Sequence, residues 1–169
     1  MDELKYDYSE TAEAEQYNTL VLLDLAIGKA KLQSVPQFHI LGGTGLVFHN
    51  ILHISTVDID TANALSKEVK EIVEPFISDN ASEVALLPKN YQDRLVPYKP
   101  DCFSNINVFV LSLEDIIITK LGSWRHKDIE DLSKTNVMDI VDYSKLFSII
   151  NSELEPAVAS DLLIKLTKI

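Results

Sequence analysis

Apolar residues recur along this chain with two periods, and the places where the period changes set the expected elements. From Thr11 to Leu32, Ala14, Tyr17, Leu20, Val21, Leu25 and Leu32 fall at roughly helical spacing. This predicts an N-terminal helix over about 10–33. Glu10, Glu13 and Glu15 at its start and Lys29 and Lys31 near its end suit the helix dipole, while Gly28 weakens it. Pro36 ends the segment. Phe38–Leu41 then reads as a strand, Gly42–Gly45 as a turn and Leu46–Leu52 as a short helix. Ser55–Asp60 reads as a second strand. Thr61–Ile77 reads as a helix with Ala62, Leu65, Val69, Ile72, Val73 and Phe76 on its apolar face. Strands are expected at Glu83–Leu87, Arg94–Tyr98 and Ile106–Leu111. From Leu113 onward the chain reads as helices over 113–124, 128–135, 138–151 and 156–168.

This order of elements predicts an α/β (α+β) fold, with a small mixed sheet flanked by helices and a helical C-terminal third. No internal repeat or Pro/Gly linker divides the 169 residues, so one domain is expected, with its core at about 36–132 and its C-terminal helices at about 133–169. Composition agrees: 46% of residues are apolar and 24% charged, enough apolar surface for a core and too little bias for disorder. The longest apolar candidate, Thr19–Gly28, is interrupted by Asp24, so no membrane span is expected. The acidic opening MDELKYDYSE argues against a targeting signal, and the lone Cys102 against a disulfide framework. A cytoplasmic address is the expectation. A net charge of −11 excludes nucleic-acid binding through the overall field; such contact needs a local basic patch.

Three constellations can carry chemistry. In Ser55–Asp60 (STVDID), strand geometry would project Asp58 and Asp60 to one face and send Val57 and Ile59 into the core. Two adjacent carboxylates repel, and a divalent cation relieves the repulsion. Mg²⁺ suits a site with few carboxylates, completed by water and phosphate oxygens. The structural alternative is a solvated strand end, with Asp60 or Thr61 capping the next helix. Second, FHILGGTGL is a strand–glycine turn–helix that can present N–H groups to phosphate, or can be a plain tight turn. It has no Walker lysine, and Phe48 stands where a dinucleotide fingerprint needs its third glycine.

Third, in LEDIIITKLGSWRHKDIEDL (113–132), Lys120 falls inside the apolar stripe Leu113, Ile116, Ile117, Leu121 and Trp124. A lysine there must snorkel or meet an anion. Arg125 and Lys127 add local positive charge. Asp128 and Asp131 share a helix face, and a capping box with Asp128 as N-cap would explain them equally well. Ser112 with Asp115 forms a capping box opening the preceding helix. His39, His49, His53 and His126 lack zinc-site spacing, and His39 reads as a satisfied strand residue.

Together these pieces resemble the DNA polymerase beta-like nucleotidyltransferase superfamily: Leu41-Gly42-Gly43-Thr44 after a strand, then Asp58-Ile59-Asp60 on the next. More narrowly, Lys120 followed by Asp128-Ile129-Glu130-Asp131 is similar to the bacterial branch that includes type IV abortive-infection toxins. The resemblance covers about 38–132. It implies a nucleotidyltransferase core in which Asp58 and Asp60 hold Mg²⁺ against an NTP. Gly42, Gly43 and Thr44 would meet phosphate oxygens, and Lys120, with Arg125, would neutralise the triphosphate. Asp128 and Asp131 would orient the lysine or line the acceptor side. It also implies transfer of a nucleoside monophosphate to an RNA, protein or small-molecule acceptor, a toxin–antitoxin setting and a cognate partner protein.

The chain departs from the pattern in four places. Thr44 replaces the usual serine; His53 and Ile54 stand where relatives often carry arginine; and the strand INVFVL offers no third carboxylate, leaving Glu83 as the candidate. The C-terminal part, 133–169, is short for such toxins. These departures keep a second expectation open: a catalytically weak nucleotide-sensing or partner-binding module of the same fold.

Overall fold

The computed structural model describes residues 8–54, 58–78 and 81–169, with side chains from residue 12 onward. Helix α1 (Tyr8–Ala30) buries Ala12, Gln16, Leu20, Leu23 and Ile27, a stripe of three- and four-residue steps. The helix was legible in the apolar spacing, and Leu20, with the partly buried Tyr17, Val21 and Leu32, packs inward as expected, but the buried stripe is rotated away from two of the expected residues. Leu25 and Ala14 face solvent, because apolar residues run around much of the helix and tertiary packing selects the side. Gly28 has a packing reason: a Cβ there would lie 2.5 Å from the Asn105 amide nitrogen. The same approach lets the Asp24 carboxylate accept the Asn105 backbone N–H at 2.7 Å.

Strand β1 (Gln37–Ile40) follows, then α2 (Gly42–Phe48), β2 (Ile59–Asp60), α3 (Lys67–Val73), β3 (Ile77–Ser78) and the short α4 (Ala81–Val84). After a 3₁₀ turn at Tyr91–Arg94 come β4 (Val96–Pro97), a second 3₁₀ turn and β5 (Asn107–Val110). The sheet is mixed, as expected: β5 lies between β1, parallel to it, and β4, antiparallel to it. β2 and β3 form a parallel pair. An antiparallel bridge between Ile40 and Thr61 joins that pair to β1. It is supported by the Leu41 N–H donating to the Asp60 carbonyl (3.2 Å) and the Ala62 N–H to the His39 carbonyl (2.7 Å). The bridge brings Asp60 to the C-terminal end of β1.

The C-terminal third is helical: α5 (Leu113–Ser123), α6 (His126–Ser133), α7 (Val137–Ile140), α8 (Tyr143–Glu153) and α9 (Pro156–Leu166). α5 is central, buried without interruption from Asp115 to Leu121, with α2, α6, α8 and α9 packed around it. The expected Ser112–Asp115 cap is present on one side, with the Asp115 N–H donating to the Ser112 hydroxyl at 3.2 Å. The Asp115 carboxylate is instead gripped by Arg94 through bonds of 2.7 and 2.9 Å. Arg94 also binds Glu153 at 2.6 Å, so one guanidinium ties the 3₁₀ turn to the start of α5 and the end of α8.

Four expectations fail for identifiable reasons. Gly42–Gly45 is the first turn of α2, not a separate turn; Gly42 at φ +67° makes that entry possible. Residues 61–66 are not helical, because Thr61 and Ala62 are committed to the β1 bridge; α3 starts only where the Ser66 hydroxyl caps Val69. Glu83–Leu87 contains no strand, and its beginning lies in α4, whose Val84 is 82% exposed. The helix expected over 138–151 is two, divided at Val141–Asp142, where the Asp142 carboxylate caps Lys145 at 3.1 Å. Ser55–Val57, the start of the expected second strand, lie outside the described residues.

Candidate active site

The first side of the site is built by the sheet. Ile59 is buried and anchors β2, so Asp60, next along the strand, turns outward beside Gly42. A Cβ built on Gly42 would lie 3.6 Å from Asp60 Oδ2, so the carboxylate stands over the entry to α2. Asp58, exposed, shares its neighbourhood. Burial, and then the charge of Asp58, push the Asp60 carboxyl above its ordinary range, against the opposing pull of Arg125, Lys120 and Lys127. Thr44 is buried, and its hydroxyl lies 3.4 Å from both the Asp58 carbonyl and Gln16 Oε1.

The second side is built by α5 and α6. Lys120 is 4% exposed, and its ammonium donates to Asp131 Oδ2 (2.8 Å) and Asp128 Oδ1 (3.2 Å). Of the two readings the sequence left open, this lysine meets anions. Asp128 is not the N-cap of α6; Arg125 is, and the capping register sits three residues earlier than expected. The Arg125 backbone N–H donates to Asp128 Oδ2 at 3.2 Å, and its Nε does so at 2.9 Å. Burial opposes ionisation of Asp128. The hydrogen bonds from Arg125 and Ser123, with the charges of Lys120 and Arg125, outweigh it and hold the carboxyl below its usual range. Asp128 in turn raises the Arg125 guanidinium above its ordinary value.

Between the two sides lies a cleft of 360 Å³. Gly42, Asp60, Lys120, Arg125 and Asp128 all line it, so residues spread over some 90 positions of sequence converge on one cavity. Gly43, Thr44, Asp58 and Asp131 do not line it: Asp131 stands behind Lys120, and Thr44 braces the backbone at Asp58. Reading the sequence missed Ser123, whose hydroxyl donates to Asp128 Oδ2 at 2.5 Å. Its position at i+3 from Lys120 was the available signal. Also missed was the apolar wall of Leu41, Ala81, Val84 and Ala85. Glu83 is exposed on α4 and does not line the cleft. A larger groove of 810 Å³, between β4 and α8, contains none of the residues expected at the site.

The family described as "Nucleotidyltransferase of unknown function (DUF6036)" matches residues 18–167, from within α1 to the end of α9. The chain belongs to this family. That span holds both sides of the cleft and every candidate site residue, so the nucleotidyltransferase resemblance of 38–132 extends over nearly the whole chain. No curated protein and no solved structure matches it. No helix among the described residues is long and apolar enough to cross a membrane.

The donor set can be tested against a divalent ion. Among the described residues no group of three or more His, Cys, Asp or Glu forms a metal cage. A divalent ion held by Asp58 and Asp60 would have to complete its shell with other oxygens. Such a donor set would suit Mg²⁺, which keeps water and phosphate oxygens in its shell. Burial is the larger cause of the raised Asp60 carboxyl and the charge of Asp58 the second; a cation beside the pair would relieve the second.

Proposed function

We propose that this nucleotidyltransferase-family protein is a Mg²⁺-dependent enzyme that transfers a nucleoside monophosphate from an NTP to an RNA, protein or small-molecule acceptor. The observation that carries the reading is the meeting of Asp60 with Lys120 and Arg125 across one cleft, beside the glycine entry to α2. Acid on one wall and base on the other match the two parts of a metal–triphosphate. Asp58 and Asp60 would hold Mg²⁺, which supplies charge neutralisation when bound. Lys120 and Arg125 would balance the triphosphate oxygens. Asp128 fixes both cations, and Asp131 fixes Lys120 from behind, so neither has to be ordered when the nucleotide arrives. Gly42 borders the triphosphate, and Thr44 steadies Asp58. The acceptor would attack the α-phosphate in line and pyrophosphate would leave. The cytoplasm, where NTPs and Mg²⁺ are available, is the proposed address. The order Lys120, Asp128, Asp131 favours the type IV toxin-like branch, a toxin–antitoxin setting and a cognate partner protein.

A second reading has its own support. No third carboxylate joins Asp58 and Asp60 in a metal cluster among the described residues, and the Lys120 charge is already met by two aspartates. A nucleotide-sensing or partner-binding module would need no general base. Thermal shift with Mg²⁺ and ATP tests what the two readings share. Stabilisation that needs both components and disappears in Asp58→Ala is expected. Equal stabilisation of that variant would overturn the role of the carboxylate pair.

A further inference from the structure

We infer that Lys165, on the C-terminal helix and outside the cleft, is a positioning residue for the cleft's basic wall, acting through the turn at Trp124. The inference rests on the nucleotide reading of that cleft. The chain between α5 and α6 turns at Trp124, whose φ of 50° and ψ of 29° are left-handed. A tryptophan is disfavoured there, so the conformation persists only where its surroundings fix it. Its own N–H closes the helix by donating to the Lys120 carbonyl at 2.9 Å. That bond links the turn to the residue whose ammonium lines the cleft.

The next carbonyl of the last turn, Leu121, is one of those a helix leaves unsatisfied. Lys165 reaches it from α9 at 3.0 Å. The same ammonium lies 5.4 Å from the centroid of the Trp124 ring and 2.9 Å from Asp161 on its own helix. One cation thus satisfies a helix end, sits where the dipole favours positive charge, and holds the indole face. Arg125 follows Trp124 directly, and its backbone and side chain both bind Asp128. Asp128 binds Lys120. Rotation at Trp124 would therefore displace Arg125, Asp128 and the Lys120 ammonium together. The C-terminal helix gives the cleft its basic wall without contributing a side chain to it.

The chain has a single tryptophan, so its fluorescence reports on this turn alone. The test measures Trp124 emission, Mg–ATP affinity and transfer of α-phosphate label in the full chain, in Lys165→Met and in Lys165→Arg. Lys165→Met keeps the apolar stem and loses the charge. Its emission should shift and its label transfer should fall by roughly tenfold to a hundredfold. Lys165→Arg keeps a donor and a cation for the ring, and should restore both. If Lys165→Met does not fold, Lys165→Gln, which retains a donor without the charge, takes its place. Unchanged affinity and label transfer in a folded variant, whatever its emission, or failure of arginine to restore transfer, overturns the inference. Failure of the unmodified protein to bind Mg–ATP overturns the nucleotide reading instead, and the emission of the variants still reports whether Lys165 holds the turn.

Discussion

Asp60 and Lys120 are placed where each is unfavourable by itself. Asp60 is partly buried beside Asp58, and its folded-state pKa is raised. The folded protein then binds the proton more tightly than the unfolded chain, so ionisation of Asp60 opposes folding at neutral pH. That penalty disappears as the pH falls through the raised value. Asp128 has the opposite sign: its depressed carboxyl contributes stability above the ordinary carboxylate range, lost as the pH falls through its folded value. Asp60→Asn should therefore raise Tm at neutral pH, remove the gain on mild acidification and abolish transfer. A lower Tm for a folded Asp60→Asn would contradict this account. Lys120→Met should act in the other direction. It leaves Asp128 and Asp131 without their buried cation and should destabilise the fold by about 3–5 kcal/mol in chemical denaturation. A loss below about 1 kcal/mol would mean that the two aspartates do not depend on the lysine.

Among the elements, the entry of α2 and the α5–α6 pair set the geometry. Gly42 sits at φ +67°, and a Cβ there would make only ordinary contact with Asp60. Gly42→Ala should thus lose roughly 1–2 kcal/mol for conformational reasons, seen as a lower Tm, and weaken nucleotide binding by disturbing the entry to α2. An unchanged Tm would show that the strain is relieved elsewhere. Much of this level was legible in the chain. Pro36 and the apolar FHIL run marked β1, and Ser112 with the stripe after it marked α5. What escaped was non-local. The helix expected over 61–77 has a fair apolar period, yet its first residues pair with β1, and no window of sequence registers a bridge to Ile40. The capping of α6 escaped because arginine is a poor N-cap by type; here its backbone N–H is met by Asp128 three residues on. The inward lysine, by contrast, was legible as a choice between snorkelling and an anion, and the structure decides for the anion, with Asp128 and Asp131 within reach.

For the whole molecule, the net charge of −11 contrasts with the local gathering of Lys120, Arg125 and Lys127 near Asp60. An acidic body repels polyanions at long range, so an acceptor nucleic acid would have to be held by local contacts rather than by field. A basic partner protein would be attracted by the same charge. The family match covers residues 18–167, and what the chain acts on has to be argued from its site rather than from that match. The most direct measurement uses α-phosphate-labelled ATP, CTP, GTP and UTP with Mg²⁺, total RNA and cell lysate. The protein is compared with its Asp58→Ala/Asp60→Ala variant. The account predicts label in RNA, protein or a small molecule with the unmodified protein and none with the double variant. Equal labelling by both, or none by either under conditions where Mg–NTP binds, would contradict nucleotidyl transfer.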